Sequence, residues 1–421
     1  MKKFFELGIE IEQRWQLTGY SDRCFTEIAY QCMAAARLEV GFAPEALIRD
    51  FFSQPVPTQL DPGGQYGQPP LTLYNSGRFV VDVYFFVTPE SPIHDHDFGG
   101  AFVNLQGDSL HSTYGYHYTP QAGQRLFCGQ LVRKATELLS PGSPRAIEPA
   151  TLPGTSFIHR VWHLDRPTII AIARMKNSVQ GGEAYRYFEH GLALRERNWS
   201  GAAYQKRLRL LSYLVSTDLA TAERLVPELL AHSDIEVSPH LLMAYYRLLL
   251  PIVGQDAAWQ RIQDIAGQLE AQHGYFIGRV GGLLRVLDLD LSTDMSRLYK
   301  KEHRVLVALL RTFETRAAVS EWLLRLYPGL DVPSAIVTWL AEMAQDGALS
   351  LEITPAHLQV LRRLLVTPQS PVAAGPDLAA TDSPCRVPES GDADGEDALA
   401  AQLAATDLLR PLFQLATADS R

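Results

Sequence analysis

Hydrophobic and polar positions divide the chain into a short helical start, a long β-type middle and a helical second half. Over residues 1–52, apolar side chains such as Phe25, Ala29 and Cys32 recur at three- and four-residue steps, the period of an amphipathic helix. Residues 53–70 are rich in Pro and Gly, which predicts a loop. We therefore expect a helical lead-in that packs on the domain following it.

Short β-type runs bounded by Gly, Pro and Asp follow, and Phe79–Val87 is apolar on both faces, as expected for a strand covered on both sides. Closely spaced runs of this kind favour a closed or sandwiched antiparallel β domain, which we place at residues 53–178. The predicted strands are Leu71–Tyr74, Arg78–Val87, Ile93–Val103, Asp108–Tyr118, Leu126–Arg133, Arg145–Leu152, Ser156–Trp162 and Pro167–Arg174.

The remaining chain has helical periodicity over residues 183–366, which predicts an all-α domain without a clean repeat period. Residues 367–395 are rich in Pro, Gly, Ala, Ser and Asp and predict a disordered acidic linker. Residues 396–416 then predict a short amphipathic helix. The expected fold class is therefore α+β multidomain, with a β-barrel domain followed by an all-α domain.

The most informative stretch is His94-x-His96, which lies in one of the predicted strands. Side chains alternate between the faces of a strand, so His94 and His96 would face one side and Asp95 and Asp97 the other. His159 lies in or beside a second strand and is the candidate third ligand. Three neutral imidazoles would hold divalent iron, nickel, copper or zinc with positions left open for substrate.

Other histidines compete for a place in this site. His163 follows the third-ligand segment and is an alternative to His159, which we prefer because it lies a few residues after Gly154. His111 and His117 share the parity of a predicted strand and would point to the same face. Their parity does not decide whether that face is directed inward.

The two histidine segments resemble the metal motifs of the cupin double-stranded β-helix. Their residues are most similar to those of one branch, the thiol dioxygenases typified by cysteine dioxygenase. Ile93-His-Asp-His96 with Leu105-Gln-Gly107, and Ile158-His-Arg-Val161, are similar to the two metal motifs of that branch. The resemblance covers roughly residues 70–176. It implies a cupin barrel with a three-histidine ferrous site. The implied activity is an oxygenase that uses molecular oxygen on a thiol or another metal-chelating, amino-acid-like substrate.

The chain departs from that family at several positions. Gly100 and Ala101 stand where cupins usually carry a glutamate ligand, which favours a site of three histidines alone. Ala101 also stands near the position of the cysteine that the eukaryotic enzymes crosslink to a tyrosine. The inward histidine and tyrosine of the family map near Ile172 and Arg174. The resemblance therefore supports the metal cage and does not support cysteine as the substrate.

Substrate contacts are expected from polar residues on the neighbouring strands, because a guanidinium can bind a carboxylate with two hydrogen bonds. We predict Arg78, Tyr84 and Arg174 as these contacts; Arg78 and Tyr84 share their parity with Asp82. The residues predict no specific catalytic acid or base.

Two other function classes stay open at this point. The domain could be a ligand-binding or sensor module with a helical interaction domain, or a non-redox metal cupin, an isomerase or lyase. The helical domain or the C-terminal helix is also a candidate site for a protein or carrier partner.

Composition narrows the classes further. The chain has 421 residues with 38 Lys and Arg against 47 Asp and Glu, a net charge of −9, which gives no electrostatic basis for binding nucleic acid or an anionic membrane. Glutamates interrupt the apolar N-terminus, unlike a signal peptide, and no apolar run approaches the ~18–20 residues that span a bilayer. We expect a cytoplasmic protein in a reducing compartment, because the cysteines are scattered; they are Cys24, Cys32, Cys128 and Cys385.

Overall fold

The computed structural model describes the chain except for residues 61–69, 120–125, 151–156, 177–183, 190, 196–201, 232–237, 274–292, 350–351, 367–391, 407 and 415–421. The predicted acidic linker, 367–395, therefore lies outside the described residues up to Gly391. The chain forms two compact units. One comprises Met1–His163 and Pro167–Asp288, and the other comprises Leu164–Arg166 and Leu289–Arg421.

The β domain consists of two antiparallel sheets. The strands are Pro70–Asn75 (β1), Phe79–Phe86 (β2), Ile93–His94 (β3), Gly100–Gln106 (β4), Ser109–Thr119 (β5), Leu126–Leu139 (β6), Pro144–Ile147 (β7), Ile158–His163 (β8), Thr168–Met175 (β9), Tyr185–Tyr187 (β10) and Leu192–Arg195 (β11). One sheet has the order β1-β2-β9-β4-β7, and the other is a closed ring in the order β10-β11-β6-β5-β8-β3.

The order of strands β2 to β9 is that of a jelly roll. Four of them, β2-β9-β4-β7, are neighbours in the first sheet, and the other four, β3-β8-β5-β6, are neighbours in the ring. Eight strands divided between two sheets in this way form the double-stranded arrangement found in cupins. The predicted fold class, a cupin-type β domain combined with helices, is confirmed.

Alternation along β2 and β9 separates two cores. Odd-numbered residues such as Val81 and Ala171 pack against three N-terminal helices, Lys2–Leu17 (α1), Asp22–Ala36 (α2) and Pro44–Ser53 (α3). Even-numbered residues of the same sheet, including Ile170 and Ile172, belong to a separate core with Phe102 and Leu139. Burial of each valine, leucine, isoleucine or phenylalanine side chain in these cores contributes about 1.5–3 kcal/mol. The strand pattern thus directs even-numbered positions towards the candidate site described below.

The prediction of one strand over Ile93–Val103 is wrong. The chain leaves the ring after His94 and enters the other sheet at Gly100, so this segment cannot be one continuous strand. A glycine is needed where β4 begins, because a Cβ atom at Gly100 would lie 2.1 Å from the carbonyl oxygen of Ala173.

Two short strands, β10 and β11, lie within the range 183–366 that we predicted to be an all-α domain. They form because β10 pairs with β3 and β11 pairs with β6, which closes the ring. Runs of three or four residues are too short to show a β period in the sequence. Helices follow them: Ala202–Thr217 (α4), Leu219–Ala231 (α5), Ser238–Val253 (α6) and Gln255–His273 (α7).

Helices α4 to α7 share a core with the ring rather than forming one of their own. Cys128 of β6 and Leu192 and Leu194 of β11 belong to the same buried cluster as Val226 and Tyr246. The helical half of the chain is therefore divided between the two units.

The second unit is helical. Its helices are Lys301–Thr312 (α8), Arg316–Leu326 (α9), Val332–Gln345 (α10), Pro355–Val366 (α11), Asp392–Ala405 (α12) and Arg410–Phe413 (α13). The range 396–416, predicted as one helix, contains the end of α12 and all of α13, and Pro411 in the first turn of α13 suits a new helix start. In the described part of the chain, no helix is long and apolar enough to cross a membrane.

Candidate metal centre

Two histidines of one segment, His94 and His96, converge with a third, His159, from a distant strand. One ligand atom from each of His94, His96 and His159 lies within 4.8 Å of the others, and the described residues contain no second group of this kind. His94 on β3 and His159 on β8 are direct cross-strand partners. Nε2 of His96 lies 3.0 Å from Nε2 of His159. Two nitrogens each about 2.1 Å from one ion, at an angle near 90°, would be about 3 Å apart.

His96 reaches the cluster although it lies outside β3. The expected alternation holds locally, because Asp95 points the other way and is buried. Its carboxylate accepts hydrogen bonds from the backbone N–H of Tyr185 at 2.6 Å and from the hydroxyl of Tyr187 at 2.5 Å. Both tyrosines lie on β10. The pairing of β10 with β3 thus fixes the segment that carries the first two histidines.

Backbone and side-chain contacts select the tautomers of two of the histidines. Nδ1 of His94 lies 2.7 Å from the carbonyl oxygen of Pro92, so Nδ1 donates and the lone pair is on Nε2. Nδ1 of His159 lies 3.1 Å from Nε2 of His111, while Nε2 of His159 points to His96. These contacts orient the rings as ligands require.

Burial keeps the three imidazoles neutral. It lowers the pKa of His94 to about 4, and it also lowers the pKa values of His96 and His159 well below their usual range, with further lowering from the neighbouring imidazoles. Neutral imidazole is the form that binds a metal. At neutral pH, protons therefore compete weakly for these nitrogens.

Aromatic rings line the cluster. The ring centroid of Phe98 lies 4.8 Å from that of His96, and those of Phe157 and Phe102 lie 4.6 and 5.8 Å from that of His159. The positions corresponding to the cupin glutamate supply no carboxylate. Gly100 has no room for a Cβ atom, and Ala101 packs into the core beneath the N-terminal helices. The cluster thus offers three nitrogens as candidate donors, packed against aromatic rings.

Two of the three predicted substrate contacts lie together on the inner face of the sheet. Nε of Arg174 donates to Oδ2 of Asp82 at 2.9 Å, and Tyr84 also hydrogen-bonds to this guanidinium. Burial opposes the charge, but Tyr84 and Asp82 raise the pKa of Arg174, which stays protonated. Its guanidinium lies 5.7 Å from the ring centroid of Phe98, and its charge helps to lower the pKa of His96, although burial and His94 contribute more. Arg174 therefore lies beside the cluster.

Arg78 does not belong to this group. It precedes β2, is exposed, and places its guanidinium 4.0 Å above the ring of Tyr20. Parity alone suggested that it would accompany Tyr84, but the strand begins one residue later, so Arg78 lies outside the sheet. The prediction of Arg78 as a substrate contact is not supported by its position.

The other candidate histidines differ from one another. His163 is buried, stacks 3.9 Å from the ring of Phe86 and lies 3.4 Å from the hydroxyl of Ser109, outside the cluster. His111 is buried beside His159, whereas His117 is exposed. The pairing of β8 with β5 ends at Tyr114, so His117 lies beyond the strand that covers His111.

A carboxylate that was not predicted, that of Glu137, is connected to the cluster through His111. Oε1 of Glu137 lies 3.0 Å from Nδ1 of His111, and Nε of Arg145 donates to the same carboxylate at 2.8 Å. Glu137 on β6 is the direct cross-strand partner of His111 on β5. Only the register of the β5–β6 hairpin places Glu137 beside His111, and this register cannot be derived from the residues alone.

Comparisons with known proteins give distant structural similarities. No family model matches the chain, and no curated protein matches it. A DMSP lyase structure is 15% identical, with a TM-score of 0.16, over 25% of this chain and 42% of its own length. Hydroquinone 1,2-dioxygenase from Sphingomonas sp. TTNP3 is 8% identical, with a TM-score of 0.21, over 30% of this chain and 86% of its own.

A third similar structure is a sugar phosphate isomerase of the cupin superfamily from Silicibacter pomeroyi DSS-3. It is 14% identical, with a TM-score of 0.19, over 30% of this chain and 76% of its own length. Similarity at this level indicates neither family membership nor activity. The functional argument therefore depends on the site itself.

Proposed function

We propose that the protein is a non-haem, iron-dependent oxygenase of the cupin type, with His94, His96 and His159 as the metal ligands. The observation that carries the proposal is the convergence of three neutral imidazoles, of which His94 and His159 are buried and His96 is half-buried, with ligand atoms within 4.8 Å. A ferrous ion held there would supply open coordination positions and redox chemistry for the reaction of a chelating substrate with molecular oxygen.

The residues around the site would bind and orient a small metal-chelating substrate. Phe98, Phe102 and Phe157 pack near the imidazoles of His96 and His159 and would limit the access of water to them. Arg174 carries a positive charge beside the cluster, and Asp82 engages its Nε atom. Its terminal nitrogens would bind a substrate carboxylate, with Tyr84 contributing a hydroxyl. This combination favours a thiol or amino-acid-like substrate that carries an anionic group.

Metal loading tests the proposal directly. The wild-type protein and the variants His94→Ala and His159→Ala are loaded with ferrous ion anaerobically, desalted and analysed for metal, with His163→Ala and His117→Ala as matched histidine controls. We expect about one iron per chain in the wild type and both controls, and none in the two ligand variants. Retention of iron by His159→Ala would contradict the ligand assignment.

Oxygen uptake separates the oxygenase from the other classes. Iron-loaded protein is screened with thiols, amino acids and other chelating compounds, and oxygen consumption is followed with an electrode. We expect consumption that requires both iron and a chelating compound and that is absent in His94→Ala. A protein that binds zinc or nickel in preference and consumes no oxygen would instead be assigned as a non-redox lyase or isomerase, or as a ligand-binding module.

A further inference from the structure

A row of hydrogen bonds connects one proposed ligand to an ion pair at the edge of the site. Nδ1 of His159 lies 3.1 Å from Nε2 of His111, and Nδ1 of His111 lies 3.0 Å from Oε1 of Glu137. Arg145 binds both oxygens of that carboxylate, through Nε at 2.8 Å and through a terminal nitrogen. Three strands contribute to the row before Arg145 on β7 closes it.

The chemistry of Glu137 gives this row a direction. Arg145 holds the pKa of the Glu137 carboxyl at about 2, chiefly through its hydrogen bonds, so the carboxylate is ionised and only accepts hydrogen bonds. Nδ1 of His111 must therefore donate. In a neutral imidazole the other nitrogen then accepts, so Nδ1 of His159 donates to Nε2 of His111. The lone pair of His159 is consequently on Nε2, the atom 3.0 Å from Nε2 of His96.

We propose that His111 and Glu137 are positioning residues of the metal centre: they hold His159 as the tautomer that binds metal through Nε2, and Arg145 holds Glu137 in place. This inference rests on the proposed function, because it takes His159 to be a ligand. A histidine ligand that donates its second N–H towards a carboxylate is better oriented and more basic, and loss of such a partner typically weakens metal binding 10–100-fold.

The two ligands of the β3–β8 pair are held in different ways. His94 donates to the backbone carbonyl of Pro92, which no side-chain substitution removes, whereas His159 depends on the side chain of His111. His111 lies two residues beyond Ser109 on β5 and pairs directly with Glu137 on β6. Of the two interactions, only that of His159 can be changed by substitution without altering the ligand itself.

The experiment compares His111→Leu, His111→Gln and Glu137→Gln with His117→Gln, an exposed histidine on the same strand. Zn²⁺ affinity is measured by competition with a chromophoric chelator. We expect His111→Leu to bind Zn²⁺ about 10–100-fold more weakly than the wild type, and His117→Gln to bind it equally well. In His111→Gln the amide oxygen can accept from His159 and the amide nitrogen can donate to Glu137, so most of the affinity should return. Glu137→Gln should lie between the Leu variant and the wild type.

A spectroscopic measurement reads the tautomer independently of affinity. In ¹⁵N-labelled wild-type protein loaded with Zn²⁺, the ring nitrogens of His159 should show the proton on Nδ1 and the metal on Nε2. A proton on Nε2 would overturn the proposal, and so would unchanged Zn²⁺ affinity in a folded His111→Leu variant. If His111→Leu does not fold, the spectrum of the wild type still decides. Absence of Zn²⁺ binding by the wild type would be a different failure, that of the metal site itself.

Discussion

His159 and Arg160 are neighbours on β8, and the fold treats these two buried side chains in opposite ways. Arg160 is fully charged: burial disfavours the charge, but Glu90 and Glu189 raise its pKa, and both carboxylates form ion pairs with it. Its guanidinium also lies 4.5 Å from the ring centroid of Trp162. His159 points to the other side of the strand, among imidazoles, and burial lowers its pKa.

The difference separates a structural group from a candidate ligand. The charge of Arg160 is balanced within the fold, so the residue needs no further partner to be stable. In the histidine cluster, Nε2 of His96 and Nε2 of His159 face each other. Burial disfavours the protonation that would let one of these nitrogens donate a hydrogen bond to the other. A cation of another kind, a metal, would satisfy those nitrogens. The variants that follow test this distinction.

The largest effect is expected when Arg160 is replaced. Arg160→Met keeps the length of the side chain but leaves Glu90 without its buried counter-charge, and we expect a loss of about 4 kcal/mol in the free energy of unfolding. His159→Leu in the metal-free protein should cost only about 1 kcal/mol, the cost of leaving His111 without a donor. Urea unfolding of the two metal-free variants measures both values. Equal losses would contradict the comparison.

The pH dependence of stability should follow the buried histidines. The pKa of His94 is about 4 in the folded protein and near 6.5 when unfolded, so the unfolded chain binds protons more readily between these values. The free energy of unfolding that depends on neutral His94 is therefore fully present above pH 6.5. It falls by about 3 kcal/mol as the pH drops towards 4. The measurement is the urea midpoint of metal-free protein from pH 7.5 to 4.5. In His94→Leu the decline should be shallower, and a parallel decline would show that other groups cause it.

The fold and the candidate site could be predicted from the sequence only where the signals are local. Strands β2, β5, β8 and β9 follow from short apolar runs, and His94 and His96 follow from the His-x-His spacing; these are local signals. His159 was preferred to His163 because of its spacing from Gly154. Arg78 was misplaced because parity holds only within a strand, and the strand begins at Phe79. The closing strands β10 and β11 were missed because they are stabilised by pairing with distant partners. Glu137 was missed for the same reason, since its neighbour His111 is 26 residues away.

Metal binding should stabilise the folded protein only when His159 is present, and the gain should not depend on Arg160. At a free Zn²⁺ concentration one hundred times the dissociation constant, we expect the wild type to gain about 2.7 kcal/mol, and Arg160→Met to gain the same increment from its lower starting value. His96→Ala and His159→Leu should gain nothing. Thermal unfolding with and without Zn²⁺ gives the increments. A gain in His159→Leu would mean that the ion binds elsewhere.

The smallest effect concerns a half-buried arginine, Arg174, which sharpens the comparison. Arg174 is charged like Arg160, but it lies beside the histidines and is paired with Asp82, whose other oxygen accepts a hydrogen bond from Thr72 at 2.8 Å. If its terminal nitrogens bind a substrate carboxylate, Arg174→Gln should lose about 1.5 kcal/mol, or roughly tenfold, of the preference for a mercaptocarboxylate over the matching alkanethiol.

Thr72→Val is the matched control for this last variant, because it removes the other hydrogen bond to Asp82 and leaves the guanidinium in place. Binding of both thiols to the metal-loaded protein is measured by calorimetry. We expect Thr72→Val to keep the preference for the carboxylate and Arg174→Gln to lose it, with the affinity for the alkanethiol unchanged in both. A preference lost equally in the two variants would mean that Asp82 and Arg174 only support the sheet. Arg174 would then be a structural charge of the same kind as Arg160.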